Sequence, residues 1–389
     1  MTRAWTLALE YYLLLPLGGV IALIWANTAG DSYFRVAQAL AFAVNDIGLA
    51  FGLAYVAQEV IEATLPGGAF HPWRRAILPV IAGAGGTIGA VAVYITYIHT
   101  ADELVLRQGW PIACGADIFL CLALGRIVFR RGVAISFLML VAIVGDVVGL
   151  AAISRHRLAA TVHPAAGGLI IAAIAISIAL RQSRVIRSTW PYLSLAGPLA
   201  WLGCYGAGVH PALSLLPIVP FFSRSARSLD EFAPSRGAHG AAGHFESTFA
   251  YPVQGVAFFF GLVNAGVLLH GFDTGTWAVL AASLAGRPLG ILAAVLLAVT
   301  SGVAPPRDIG WRDLIVIAFA ASPGVAFSLF LASAVFPDGP LLVETRVGAI
   351  ATIAGAPLAL AAARLLRVGR FVDRRATQPV QTPLMDGRA

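Results

Sequence analysis

Apolar stretches of about 20 residues recur along the whole chain, and shorter segments richer in charged residues separate them. Within each stretch the apolar positions are continuous, whereas the strands of a membrane β-barrel would alternate apolar and polar residues. The pattern therefore predicts an all-α membrane protein with about twelve transmembrane helices. The predicted spans are 8–27, 37–60, 76–98, 109–125, 133–153, 162–180, 189–203, 205–222, 249–270, 276–300, 312–335 and 341–363.

Composition and charge add an orientation to this picture. Only 12% of the 389 residues are charged, against about 25% in soluble globular domains. All 26 basic residues are arginines, and a cytoplasmic amino terminus places most of them on the inner side. The positive-inside rule then predicts a multi-pass protein of the cell inner membrane with both termini in the cytoplasm. Basic loops facing an anionic lipid leaflet account for the net charge of +7, so no nucleic-acid partner is predicted.

Polar segments divide the chain into two groups of spans. Residues 1–222 are predicted to form a bundle of spans 1–8, and residues 249–369 a bundle of spans 9–12. Between them, 223–248 is rich in glycine, alanine and arginine and is predicted to be a cytoplasmic linker. Residues 370–389 are predicted to be a polar cytoplasmic tail without fixed structure.

Ionisable side chains inside the spans are the candidate functional residues, because each costs about 2.5–3.5 kcal/mol to insert into hydrocarbon. Asp117, Asp146 and Arg287 lie deep in their predicted spans. Glu59 lies nearer the inner face, where it is either a solvated helix end or part of a cytoplasmic cation funnel. Asp46 lies near the outer end of span 2, where a helix cap or a funnel-mouth role is predicted.

Two spans contain residues that interrupt a helix. Ser322, Pro323 and Gly324 lie in the middle of span 11, and Pro111 begins the short span 4. Proline removes a backbone donor and clashes with the preceding turn, so each span on its own could be an ordinary proline kink. A matching pair of interrupted spans is, however, typical of transporters built from inverted repeats. Broken helices expose partial charges of about half a unit, which an aspartate offsets at amino-terminal ends and an arginine at carboxy-terminal ends.

The order of seven stretches along the chain resembles that of a known family. The stretches are VNDIGLAFGLAYVAQEV (44–60), GWPIACGADIFLCLALG (109–125), FLMLVAIVGDVVGL (137–150), GAGVHPALSLLPIVPFF (206–222), FGLVNAGVLLHG (260–271), GRPLGI (286–291) and GVAFSLFLASAVF (324–336). With them the chain is similar to the NhaA-type sodium/proton antiporters. The resemblance implies an NhaA-like fold, in which interrupted spans 4 and 11 cross, and exchange of Na⁺ or Li⁺ for H⁺.

The chain departs from that family at several positions. The family has two adjacent aspartates on span 5, of which only Asp146 remains beside Gly145. Arg287 replaces a lysine on span 10, and Ala116 replaces a threonine on span 4. The outer β-hairpin that contacts the second subunit in the family is nearly absent at 28–36, so a homodimer is left open.

The resemblance also implies a chemistry that a single carboxylate can carry out. Sodium prefers oxygen ligands, and Asp146 with carbonyls freed by the broken helices is the predicted Na⁺ and proton site, with Asp117 as the second predicted cation- or proton-binding residue. Burial disfavours the charged form of a carboxylate, so protons compete with the cation. Arginine stays protonated in proteins, which leaves one exchanged proton per cation and predicts electroneutral exchange. His210 occupies the place of a histidine linked in the family to pH response, although a helix-end role is equally open.

Other functions are left open or excluded. The departures at Gly145 and Ala116 also suit a sodium-coupled organic-anion symporter of the same fold, or a relative without transport activity. An intramembrane aspartyl protease built on Asp117 and Asp146 is not supported, since Ile143 occupies the first glycine of the G-x-G-D signature. No P-loop, H-E-x-x-H motif or nucleophile elbow is present in the sequence, so we predict neither an enzyme nor a cofactor.

Overall fold

The computed structural model describes residues 13–65, 68, 70–129, 132–158, 164–183, 188–222, 241–268, 272–306, 308–337 and 339–371, and all regular structure in them is helical. The α-helices are α1 (Leu14–Thr28), α2 (Gly30–Phe42), α3 (Leu49–Thr64), α4 (Ile77–Thr100), α5 (Ile118–Phe129), α6 (Val133–Leu158), α7 (Pro164–Gln182), α8 (Gly197–Gly206), α9 (Ala241–Asn264), α10 (Thr274–Ala281), α11 (Arg287–Thr300), α12 (Trp311–Ala320), α13 (Val325–Val335), α14 (Pro340–Ala351) and α15 (Gly355–Leu365).

Wider and tighter helical segments connect several of these helices. The π-helical segments are Ala43–Gly48, which joins α2 to α3, Ala282–Gly286, which joins α10 to α11, and Tyr192–Ala196, which directly precedes α8. The 3₁₀ segments are Trp73–Ala76, Leu104–Cys114, Pro211–Leu213, Val219–Phe221, Thr352–Ala354 and Gly369–Phe371. Because π segments are rare and often mark functional positions, those in spans 2 and 10 are of particular interest.

Six helical rods among the described residues are long and apolar enough to cross a membrane. Two further spans consist of bent helix pairs, so the number rises to eight when each pair counts as one span. The six rods are Gly30–Thr64, Trp73–Thr100, Val133–Ser154, Ala165–Gln182, Thr274–Thr300 and Pro340–Phe371. Shorter or less apolar helices, α1, α8 and α9, cover three more of the predicted spans.

The predicted eighth span, 205–222, is not a continuous helix. Beyond Gly206 the chain forms turns and two short 3₁₀ segments. Pro211, Pro217 and Pro220 each lack the backbone N–H that a helix requires, and Gly208 has a positive φ of 72°. Hydropathy predicted a span there because it depends on side chains alone and takes no account of missing backbone donors.

The predicted linker also ends earlier than the composition indicated. Helix α9 begins at Ala241, so the last eight residues of the predicted linker 223–248 belong to a helix. The rest of it, 223–240, lies outside the described residues, as does most of the predicted tail, 372–389. The division into bundles at 1–222 and 249–369 stays a prediction.

Close helix packing places span 10 against span 3. A Cβ atom on Gly89 of α4 would lie 2.4 Å from the carbonyl oxygen of Gly286, and one on Gly290 would lie 2.2 Å from the carbonyl oxygen of Gly85. Small residues let transmembrane helices approach to backbone contact in this way. Since Arg287 follows Gly286 directly, this contact sets the position of the arginine relative to span 3.

The two bent spans cross at their breaks. Leu104–Cys114 and α5 meet at 49°, and α12 and α13 meet at 48°. The amide of Asp117 in the first break donates to the carbonyl oxygen of Pro323 in the second, at 3.0 Å. A Cβ on Gly324 would lie 2.4 Å from the carbonyl oxygen of Gly115, so the breaks touch backbone to backbone. The predicted pair of crossing, interrupted helices is therefore present.

Candidate functional site

The buried carboxylate of Asp117 accepts hydrogen bonds from the amino-terminal ends of two half-helices. Its Oδ1 accepts a hydrogen bond from the amide of Leu120 in α5 at 3.3 Å. Its Oδ2 accepts one from the amide of Ala326 in α13 at 3.1 Å. Amino-terminal helix ends carry partial positive charge, so a negative charge at this point stabilises both.

The buried guanidinium of Arg287 donates hydrogen bonds to the carboxy-terminal ends of the other two half-helices. Arg287 is the first residue of α11, directly after the π segment Ala282–Gly286. Its Nη2 donates to the carbonyl oxygen of Ala113 at 2.7 Å, and its Nη1 donates to that of Ala321 at 3.3 Å. These carbonyls end the first halves of the two broken spans, where partial negative charge accumulates. The guanidinium therefore stabilises two carboxy-terminal helix ends at once.

Asp146 lies beside this crossing, in the middle of α6. Its side chain is only 1% exposed, and its Oδ1 accepts a hydrogen bond from the amide of Ala116 at 2.8 Å. Among the described residues no donor contacts its Oδ2, and Arg287 forms no ion pair within 4.0 Å of it. The carboxylate thus retains an oxygen that can bind a proton or a cation.

A small cavity brings the two carboxylates together. Both aspartates line it, and the other lining residues are apolar. The lining consists of Leu49, Gly52, Leu53, Asp117, Ile118, Phe119, Asp146, Phe260 and Phe327. No group of three or more His, Cys, Asp or Glu side chains that could hold a metal ion occurs in the described part of the chain. An ion here would depend on one or two carboxylates and on backbone oxygens.

The position before Asp146 has no room for a side chain. A Cβ atom on Gly145 would lie 2.8 Å from the carbonyl oxygen of Cys114, closer than real Cβ contacts come. The hydroxyl of Thr87 would be 3.6 Å away and the methyl group of Ala116 3.8 Å away. The backbone of interrupted span 4 therefore fills the space that a carboxylate at position 145 would enter.

Several polar groups that support the crossing are not evident from the sequence. The hydroxyl of Ser283 donates to the carbonyl oxygen of Ser322, and Thr352 accepts from the amide of Gly324 at 3.1 Å. Serine and threonine also occur in ordinary helices, so their spacing carried no signal. Glu344 was detectable, because it is an acid within a predicted span. It accepts a hydrogen bond at 2.8 Å from the amide of Gly275, at the amino terminus of α10.

The remaining predicted residues lie apart from the cavity. Glu59, near the end of α3, is partly exposed, with an oxygen 3.8 Å from Nη2 of Arg126. Asp46 lies in the π segment of span 2, with its Oδ1 4.0 Å from Nε2 of buried His210. The Nδ1 atom of that histidine accepts from the amide of Ala212 at 3.2 Å. In the neutral ring the proton is therefore on Nε2, facing Asp46.

Comparison with known proteins gives consistent matches along the chain. The model of the family described as "Na+/H+ antiporter 1" matches residues 10–366. A "Na(+)/H(+) antiporter NhaA" of Geotalea uraniireducens (strain Rf4) is 33% identical over 378 residues, covering 95% of this chain and 98% of the relative. A protein of the same name from Desulfitobacterium hafniense (strain DSM 10664 / DCB-2) is 34% identical, covering 94% and 97%.

A solved structure shares the fold. It is that of the sodium proton antiporter MjNhaP1 from Methanocaldococcus jannaschii at pH 8, with a TM-score of 0.60 over 94% of this chain and 93% of that one. The two sequences are 15% identical, so this similarity concerns the fold alone. It supports the prediction of an NhaA-like arrangement of helices with two crossing, interrupted spans.

Proposed function

The chain belongs to the Na⁺/H⁺ antiporter 1 family, and we propose that it exchanges Na⁺ or Li⁺ for protons across the cell inner membrane by alternating access. Both termini are proposed to be cytoplasmic, as the arginine distribution predicts. The family and the named relatives support cation/proton antiport as the activity.

The environment of Asp146 is the main structural support for this proposal. Its carboxylate is buried, lines the cavity and receives a single backbone donor, the amide of Ala116. A proton or a cation binds the same oxygen atoms, so the arrival of one requires the departure of the other. When the loaded site faces one side of the membrane and then the other, this competition becomes exchange.

The geometry around Gly145 and Arg287 supports exchange of one proton for one cation. The Cys114 carbonyl occupies the space of a second carboxylate beside Asp146. Arg287 is engaged with two helix-end carbonyls and stays charged throughout the cycle. With a single exchanging carboxylate, the protein moves one positive charge in each direction and no net charge.

Electroneutral exchange predicts that the membrane potential has no effect on transport. In sealed proteoliposomes, a potassium diffusion potential set with valinomycin should leave the rate and the final ion ratio of sodium-driven proton flux unchanged. Moving one net charge across 100 mV would be worth about 2.3 kcal/mol, a shift of nearly fifty-fold in that ratio. Such a shift would contradict the single-carboxylate mechanism and require a second proton site, for which Glu59 and Asp46 are the candidates.

Asp117 is proposed to hold the crossing and to adjust the site through its charge. Asp117→Asn keeps the shape of the side chain but removes the negative charge that faces two helix amino termini. We expect a higher apparent KM for Na⁺ with residual exchange, measured by sodium titration of proton flux. A variant as inactive as Asp146→Asn would instead make Asp117 a direct ligand of the cation.

Sodium-coupled import of an organic anion has less support. Such a carrier would be expected to expose a cationic or neutral donor group to its substrate. The cavity lining instead includes two carboxylates, and Arg287 is absent from it. The Nη atoms of that arginine donate to protein carbonyls. Measurement of proton flux without any organic anion present separates the two functions.

A further inference from the structure

Two asparagines bridge spans 2 and 9 through a reciprocal pair of hydrogen bonds. Nδ2 of Asn45, in the π segment Ala43–Gly48, donates to Oδ1 of Asn264 at 3.2 Å. Nδ2 of Asn264 donates back to Oδ1 of Asn45 at 2.8 Å and also to the carbonyl oxygen of Phe260 at 2.9 Å. The two amides therefore close on each other.

This amide pair lies directly beyond one end of the carboxylate cavity. Asn45 precedes Leu49 by four residues, and Asn264 follows Phe260 by four residues. Leu49 and Phe260 both line the cavity, and residues four apart on a helix share one face. The pair thus lies about one turn from the cavity. Glu59 lies beyond the other end of the cavity along span 2.

Both asparagines lie where the regular α-helical backbone stops. Asn45 belongs to a π segment, in which backbone hydrogen bonds join residues five apart instead of four. Asn264 is the last residue of α9, and the described residues after it, 265–268, are not helical. A hydrogen bond between neutral groups contributes little net stability, so the pair can open and re-form during a transport cycle.

We propose that the Asn45–Asn264 pair is the barrier that closes the carboxylate cavity toward this end of span 2, and that each exchange cycle requires it to open. This inference rests on the proposed function, because a barrier has a role only if Asp146 is alternately exposed. Leu49 and Phe260 contribute only apolar side chains to the route between the pair and the cavity. When the pair opens, its amide oxygens and N–H groups add polar contacts to that route. Hydrated Na⁺ or protons can then reach the cavity from this side.

A reversible cross-link tests whether the pair must separate. Asn45→Cys and Asn264→Cys are combined, reconstituted and treated with a bifunctional methanethiosulfonate that has a two-carbon spacer. We expect cross-linking to reduce sodium-driven proton flux to the level of empty liposomes, and dithiothreitol to restore it. The two single variants and the native protein, which has three cysteines, receive the same treatment as controls. Undiminished flux after complete cross-linking would overturn the proposal.

A labelling experiment tests the barrier without requiring transport. Leu49→Cys reports access to the cavity through its rate of reaction with a membrane-impermeant maleimide. Adding Asn264→Ala or Asn45→Ala should raise that rate roughly thirtyfold, the expected effect of losing two ordinary hydrogen bonds. Asn27→Ala is the matched control, since Asn27 binds the Val267 carbonyl at 2.8 Å and is absent from the cavity lining. An unchanged rate in both pair variants would overturn the barrier, whereas absent flux in the native protein would overturn the proposed function.

Discussion

Asp146→Asn is expected to abolish sodium-driven proton flux in sealed proteoliposomes. Asparagine has the shape of aspartate and preserves an oxygen that can accept the hydrogen bond from Ala116. It cannot ionise, so it neither releases a proton nor balances the charge of a bound cation. Because Gly145 provides no second carboxylate and Arg287 exchanges no proton, nothing in this mechanism replaces the lost group. The flux should fall to that of liposomes without protein.

The control for this variant is another aspartate-to-asparagine change. Asp31, at the exposed start of α2, lies outside the cavity lining, and Asp31→Asn should exchange at the native rate. Size-exclusion profiles and thermal denaturation in detergent establish that both variants are folded. Cation-dependent flux at the native rate in a folded Asp146→Asn protein would remove this residue from the mechanism.

Arg287→Gln is expected to destabilise the protein more than any of the other variants described. The guanidinium group donates to the carbonyl oxygens of both Ala113 and Ala321, and its buried charge interacts electrostatically with the carboxylate of Asp146. A hydrogen bond from a charged donor contributes about 1.5–3 kcal/mol, and the substitution removes the charged donor of two such bonds to buried helix-end carbonyls. We therefore expect a clear fall in the midpoint of thermal denaturation in detergent and a low yield of monodisperse protein.

Arg287→Lys separates the role of the charge from the role of the two hydrogen bonds. Lysine keeps the positive charge but is a point donor, so it cannot span both carbonyls with the fork of a guanidinium. Its stability should lie between those of the native protein and Arg287→Gln, and its exchange should remain insensitive to membrane potential. If Arg287→Gln is as stable as the native protein, the proposed stabilisation of the helix ends is incorrect.

The sequence predicted the parts of the fold that depend on local cost. Continuous apolar stretches indicated the spans, since a helix is the simplest way to satisfy backbone groups in hydrocarbon. Ser322-Pro323-Gly324 indicated the break in span 11, because proline cannot continue the backbone ladder. Asp117, Asp146 and Arg287 were identifiable because a charge within a span is expensive. Hydropathy failed at 205–222, where three prolines prevent a continuous helix in an apolar stretch.

Tertiary structure decided which of these groups meet. No spacing in the sequence shows that Asp117 also faces α13, or that Arg287 reaches Ala113 and Ala321, because these partners are far apart along the chain. The sequence indicated Gly145 as the loss of a charge. The structure adds that the Cys114 carbonyl occupies that space.

The sequence by itself thus determined the helical membrane fold, the identity of the buried ionisable residues and the resemblance to a family of antiporters. The tertiary structure decided how one aspartate and one arginine compensate four helix ends, and that Asn45 pairs with Asn264 beside the cavity. The physical reason is that insertion cost and backbone propensity belong to single residues and short segments. Hydrogen bonds and charge compensation belong to pairs of groups, which only packing of the whole chain brings together.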